Sequence, residues 1–365
     1  MASAGASAAA AAAAATAARF VSRDSFAIPS SIPKTYFLGH HAAGASKIKG
    51  LLSTISVVLE CRDFRLPLST HNPTLERAVA GRERLVVYTK ADLGADSARA
   101  ARPALRRLYG PDRVLFWDKN RPATTDALLA RLRDMAREQD SLTGLRALVV
   151  GMPNVGKSTL LNALRAAGAP PGQRRAKAAR TGDQAGVTRR VGTAVRVVDP
   201  EDASSPDGSG GGRGVAGGVY VLDTPGIFQP YVDDGETMVK VALAHGIKKG
   251  LIPDEILADY LLYRMNRWDP HLYARYCPPT NDVNEFLDAV ARRDGKLKTG
   301  GLPNWQEAAA RVLSQWRDGK LGRYVLDDLD DAHLRAHELM LEEPQLSLSQ
   351  ARKLQKEERK REKAR

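Results

Sequence analysis

Short β-branched apolar runs recur between residues 55 and 222, and most are separated by stretches of helical periodicity. Ile55 to Glu60 suits a buried strand, and Leu85 to Thr89, Val114 to Trp117, Leu145 to Val150, Gly192 to Val198 and Val219 to Leu222 repeat the pattern. Among the intervening stretches Asp126 to Gln139 is the clearest helix, with Leu128, Leu129, Leu132 and Met135 on one face. Alternation of this kind predicts an α/β sheet with parallel strands. Two segments interrupt the rhythm. Gly168 to Gly186 is rich in Gly, Pro, Arg and Lys, and Pro200 to Gly218 is mostly Gly, Ser and Asp. Both predict exposed loops, the second an enlarged hairpin turn between two strands. Beyond about residue 240 the strand signal stops. Pro253 to Met265, Asn281 to Arg292, Trp305 to Trp316 and Asp330 to Leu341 have helical periodicity, which predicts a smaller all-α domain. Ala351 to Arg365 is mostly Lys, Arg and Glu, the composition of a projecting helix or solvated tail.

Composition narrows the classes. At 365 residues and 43% hydrophobic, the chain can bury a core and is not a wholly disordered polymer. Cys61 and Cys277 lie far apart and match no metal spacing, which excludes a disulfide scaffold or zinc module and fits a reduced compartment. The long uncharged run is an alanine tract, so no membrane-spanning segment is predicted. Lys and Arg number 55 against 42 Asp and Glu, a net charge of +13 that calls for a polyanion such as nucleic acid or an anionic membrane surface. The first two dozen residues do not read as folded structure. Ala8 to Ala15 is a homopolymer and no acid precedes Asp24, as in an organellar transit peptide or a compositionally biased tail.

The chemistry concentrates after Leu145 to Val150. Gly151-Met152-Pro153-Asn154-Val155-Gly156-Lys157-Ser158 satisfies G-x-x-x-x-G-K-[ST], directly after a strand and opening a helix through Leu160, Leu161 and Leu164. Backbone amides from Asn154 to Thr159 can wrap phosphate oxygens, Lys157 can neutralise β/γ charge, and Ser158 can offer an oxygen to Mg²⁺. Asp223-Thr224-Pro225-Gly226 ends another strand, where Asp223 can reach Mg²⁺ and the Gly226 amide a γ-phosphate. Thr188, between these motifs, can complete the Mg²⁺ shell. Upstream, Thr89-Lys90-Ala91-Asp92 is similar to the guanine-reading N-K-x-D motif, with Thr in place of Asn. Asp92 would accept from guanine N1 and N2 while Lys90 packs over the ring. The missing amide predicts guanine affinity lower by about 1 kcal/mol.

The base-reading motif precedes the phosphate loop, the reverse of ordinary small GTPases. In this the chain resembles the circularly permuted GTPases of ribosome assembly, within them the bacterial YlqF-like branch and its mitochondrial counterpart. The likeness extends from about Tyr36 to Asp327. It includes Tyr36-Phe37-Leu38-Gly39-His40, Glu60-Cys61-Arg62-Asp63-Phe64-Arg65-Leu66-Pro67-Leu68-Ser69, Gly300-Gly301-Leu302-Pro303 and Gly319-Lys320-Leu321-Gly322. The resemblance implies a P-loop GTPase domain over 35–240 with permuted motif order, then a smaller all-α, ribosome-binding domain over 241–345. A mitochondrial leader over 1–25 and a basic tail over 346–365 would flank them. It implies a GTP and Mg²⁺ cycle in which Lys157, Thr188 and Gly226 are catalytic, with Asn154 as a K⁺ ligand partly replacing an arginine finger. Ile227 and Phe228 stand where many GTPases place a water-orienting Gln, like the family's hydrophobic-substituted class, in which a ribosomal particle orders the switch. The implied partners are the mitochondrial large subunit and its rRNA, in the matrix or peripheral on the inner membrane, with no obligate oligomer. A nucleotide-gated RNA-binding scaffold with negligible turnover is the alternative. His40 and His41 are acid/base or structural candidates. Arg174, Arg175, Lys177, Arg180, Arg189 and Arg190 form a basic loop beside the nucleotide, and Trp305 and Trp316 read as packing of the helical domain.

Overall fold

The computed structural model describes residues 20–36, 39–139, 142–169, 179, 192–200, 215, 217–229, 231–232, 234–342, 349–350, 353–354, 356–357 and 360. Strands β1 (Val57–Asp63), β2 (Glu83–Thr89), β3 (Val114–Phe116), β4 (Leu145–Gly151), β5 (Val195–Val198) and β6 (Val219–Asp223) form one sheet in the order β3-β2-β1-β4-β6-β5. Neighbouring strands are parallel except β5, which runs antiparallel to β6 as the predicted hairpin requires. All six predicted strands are present, with ends shifted by no more than three residues.

Helices α1 (Gly39–Leu51), α2 (Pro73–Ala78), α3 (Ala98–Tyr109), α4 (Pro122–Gln139) and α5 (Lys157–Ala167) cover the sheet. Because strand side chains alternate, the apolar runs feed different layers. Val57, Leu59 and Cys61 join Leu128, Leu132, Leu160 and Leu164 of α4 and α5. Val58, Leu148, Val150 and Leu222 point the other way, onto Ile48 of α1 and Leu75 of α2. The predicted α-domain is present as α6 (Gly235–Leu243), α7 (Asp254–Trp268), α8 (Val283–Arg293), α9 (Trp305–Arg317) and α10 (Asp331–Glu342), with α9 packed on α7 and α8. Its apolar faces belong to the same continuous core as the sheet, and residue 240 falls inside α6. Trp316 is buried, whereas Trp305 is 43% exposed with its indole N–H given to Asp288 Oδ1.

The folded part begins earlier than the unstructured first two dozen residues of the sequence reading. Arg23 pairs with Asp259 at 2.7 Å, Phe26 meets Tyr260 edge-on at 5.2 Å, and the Val21 carbonyl accepts from Asn281 Nδ2 at 2.8 Å. The helical layer therefore holds the chain from residue 21 onward by contacts that no local composition could reveal.

Helix α10 buries Leu334 and His337. His337 Nε2 lies 3.0 Å from His71 Nδ1, and His71 Nε2 lies 2.6 Å from Glu76 Oε2. Burial, helped by His71 and Arg62, holds the His337 imidazole down to about 3. An unfolded histidine takes its proton near pH 6.5, so stability is present above that value and is lost as pH falls towards 3. At pH 5 the cost from His337 should be about 2 kcal/mol. Melting temperatures measured between pH 7.5 and 5 should fall steeply for the wild type and less for His337→Gln. An identical slope in the variant would remove His337 from the explanation.

Candidate functional site

The carboxyl ends of the parallel strands meet on one edge, where open α/β sheets bind ligands. Asp63 lies opposite Thr89, Cys61 opposite Gly151, and Val149 opposite Asp223. Since every loop from a parallel strand end opens on this edge, reversing motif order along the chain does not separate the motifs in space.

The phosphate loop leaves β4 at Gly151, whose φ is +142° and where a Cβ would sit 2.3 Å from the Cys61 carbonyl oxygen. Only glycine fits there. Helix α5 opens at Lys157, with Ser158 and Thr159 in its first turn. Lys157 is buried, and its ammonium donates to the carbonyls of Met152 at 2.7 Å and Gly151 at 3.2 Å. Burial lowers its pKa against the opposing pull of Asp223. Ser158 donates its hydroxyl to Asp223 Oδ2 at 2.5 Å. Burial raises the Asp223 carboxyl, opposed by Ser158, Lys157 and the Thr224 amide, and Oδ1 is buried without a well-formed hydrogen bond among the described residues. A hydroxyl beside an under-satisfied carboxylate fits Mg²⁺, a hard cation that takes one or two protein oxygens and fills its shell with phosphate and water. Thr188 and the basic loop residues Arg174, Arg175, Lys177, Arg180, Arg189 and Arg190 lie outside the described residues.

At the end of β2, Thr89 is fully buried, and its hydroxyl lies 2.5 Å from the Val155 carbonyl and 3.1 Å from that of Arg62. The substitution of Thr for Asn therefore retains a tether between β2 and the phosphate loop, whatever is lost at the base. Lys90, in the left-handed region at φ +54°, donates to the Asn154 carbonyl and to Asp63 Oδ2, both at 2.8 Å. Asp63 also receives Arg65 through Nε at 3.0 Å and Nη2 at 2.8 Å, and the Arg65 guanidinium lies 4.7 Å from the Trp316 ring. Sequence reasoning missed Asp63 as a link, although it stands within Glu60-Cys61-Arg62-Asp63. Ala91 is buried, and its amide donates to the Trp117 carbonyl at 3.1 Å. Asp92, half-buried, accepts from Asn120 Nδ2 at 3.3 Å. Asn154, at φ +57°, gives its side-chain amide to the His245 carbonyl at 2.7 Å. Thr89→Val keeps the shape of the side chain but leaves the buried Val155 carbonyl without its donor. Affinity for GTP and GDP alike is expected to fall by about 1 to 2 kcal/mol, read by nucleotide titration. Unchanged binding would show that the tether carries no weight.

Gly226 lies so close to the phosphate loop that a Cβ would come 2.6 Å from Pro153 Cα. Ile227 and Phe228 are buried at 1% and 0% exposure, so the side chains that stand in place of Gln fill the core. His41 is buried, and its Nδ1 accepts the Phe228 N–H at 2.9 Å, a structural use of the imidazole; the His40 side chain lies outside the described residues.

A family described as a 50S ribosome-binding GTPase matches residues 146–273. Mitochondrial GTPase 1 of Schizosaccharomyces japonicus is 36% identical over 319 residues, which covers 81% of this chain and 91% of that protein. Mitochondrial ribosome-associated GTPase 1 of Xenopus tropicalis is 30% identical over 326 residues, with 84% and 98% covered. The crystal structure of GNP-bound YlqF from T. maritima aligns at 25% identity over 79% of this chain and 99% of that one, with a TM-score of 0.48. With the Thr89-Lys90-Ala91-Asp92 end of β2 upstream of its phosphate loop and such identity across most of its length, the chain belongs to the mitochondrial GTPase 1 family of circularly permuted GTP hydrolases.

Proposed function

We propose that this GTPase assists assembly of the mitochondrial large ribosomal subunit, hydrolysing GTP in a particle-stimulated way and departing on hydrolysis. The observation that carries the reading is the bonding of Thr89 and Lys90 to Val155 and Asn154, which joins a base-side loop to a phosphate loop in permuted order. In this reading Asp92 reads guanine N1 and N2, Lys90 and Ala91 flank the base, and Asn154 to Thr159 with Lys157 cradle the phosphates. Ser158, Asp223 and Thr188 hold Mg²⁺, which offsets charge building on the phosphate oxygens, and the Gly226 amide faces the γ-phosphate. Asn154 is assigned to K⁺ through its side-chain oxygen, since its nitrogen is committed to His245. Residues 241–345 and the basic segments meet rRNA in the matrix, with the inner-membrane surface as a peripheral location. The import leader is the segment over 1–25, whose last residues also bind the helical layer, Arg23 to Asp259 and Phe26 just beyond it to Tyr260.

The test combines salt-dependent co-sedimentation with hydrolysis rates measured with and without large-subunit particles, in K⁺ and in Na⁺. Stimulation of about tenfold or more, with binding that weakens as salt rises, is expected of phosphate contacts. Turnover that particles leave unchanged would favour the scaffold alternative, and absence from particles at low salt would defeat both.

A further inference from the structure

We propose that Asn72 and His41 are positioning residues for GTP hydrolysis, which together clamp the Ile227–Phe228 peptide unit, one residue beyond the switch glycine. This deepens the proposed function and rests on its assignment of the Gly226 amide to the γ-phosphate.

The clamp grips both polar groups of one peptide plane. Asn72 Nδ2 donates to the Ile227 carbonyl at 2.9 Å, and the Phe228 N–H of the same plane donates to His41 Nδ1 at 2.9 Å. One plane earlier, the Ile227 N–H donates to the Gly151 carbonyl at 3.2 Å. The side chains reinforce this. Ile227 enters the cluster of Ile48 and Val58, while Phe228 enters the main core against the edge of Tyr36, ring centres 5.7 Å apart. Asn72 is 1% exposed and is itself fixed, because its Oδ1 caps α2 by accepting from the amides of Thr74 at 3.1 Å and Leu75 at 3.2 Å.

Gly226 is thus wedged on Pro153 on one side and tied to an immobilised backbone on the other. The two positions directly after that glycine are the buried Ile227 and Phe228, where many GTPases carry a water-orienting glutamine, so the aim of its backbone donor carries more of the burden, and such donors act by being fixed before charge develops. A displacement of about 1 Å in groups of this kind can cost on the order of a hundredfold in rate.

Capping and clamping separate chemically. In Asn72→Ser the hydroxyl still accepts from the first amides of α2 but is too short to reach the Ile227 carbonyl. Single-turnover hydrolysis by the free full-length chain, at saturating GTP, is expected to fall about tenfold, with GTP and GDP affinity and melting temperature near wild type. His41→Leu should fall similarly, whereas His41→Asn, which retains an acceptor close to the Nδ1 position, should recover most of the rate. Because both residues hold one peptide plane, the double variant Asn72→Ser/His41→Leu should lose little more than either single. Full-rate hydrolysis by Asn72→Ser would overturn the proposal, and so would a loss of nucleotide affinity as large as the loss of rate. Intrinsic turnover of the free chain is the readout, so failure of the ribosomal role would not mimic failure of the clamp.

Discussion

Lys157→Ala is expected to lower GTP affinity by about a hundredfold or more and to bring hydrolysis to background, since charge-assisted hydrogen bonds contribute roughly 1.5 to 3 kcal/mol each. The ammonium is already inside the loop, held by the carbonyls of Met152 and Gly151. No carboxylate forms an ion pair with it among the described residues, so turning towards β and γ phosphate oxygens breaks only two neutral acceptors. Burial disfavours the charged form, and the neighbouring Asp223 opposes that shift, so a bound polyanion would stabilise the ammonium further. Removing the side chain takes away one charge that offsets the buried Asp223 carboxyl, but Asp223 keeps the Ser158 hydroxyl and the Thr224 amide, and the fold should persist. Titration with a fluorescent GTP analogue and thermal melting read the two effects separately. Affinity within a few-fold of wild type, in a folded variant, would overturn the assignment of residues 151–158 as the phosphate loop.

What the sequence could reveal follows from how local each feature is. The phosphate loop is eight contiguous residues between a strand and a helix, so its spacing alone places it. The motif at Thr89 to Asp92 and the one at Asp223 to Gly226 are legible for the same reason, each ending an apolar run. Their convergence needs the sheet order, which is set by long-range pairing of β1 with both β2 and β4. Asp63 joins Lys90, and Asn72 joins Ile227, across 27 and 155 residues respectively, so neither role leaves a local mark. The N-terminal segment shows the converse. Its composition resembles a leader, yet Arg23 is held by Asp259, 236 residues away, and Phe26 lies against Tyr260 of the same helix. Trp305 and Trp316 share a helix with the same periodicity but differ in burial, because only Trp316 faces Arg65 and the core.

Asp92→Asn should exchange guanine for xanthine as the preferred base. Guanine presents N1–H and the N2 amino group as adjacent donors, and a carboxylate accepts both. The asparagine replaces one acceptor with an NH₂ group that opposes N2–H, leaving buried donors facing each other, and such mismatched polar contacts are rejected strongly. GTP affinity should fall by about a hundredfold or more. Xanthine carries a carbonyl where guanine has N2, so the asparagine amide would donate to it while Oδ1 accepts from N1–H. Asp92 sits at the start of a 3-10 turn over Ala91–Ser97 and accepts from Asn120 Nδ2 on its outer side. Asparagine can keep that outer contact by presenting its oxygen there only at the expense of the base, so the competition is direct. The phosphate contacts and the Thr89 tether are untouched, and XTP should bind within about tenfold of wild-type affinity for GTP. Competition titrations with GTP and XTP decide the matter, and an Asp92→Asn chain that still prefers GTP would show that the base is read elsewhere. Thr89→Val provides the contrast, because its hydroxyl is given to the Val155 carbonyl of the phosphate loop. That variant should weaken both nucleotides equally, whereas Asp92→Asn trades one for the other, which separates holding the loop from reading the base.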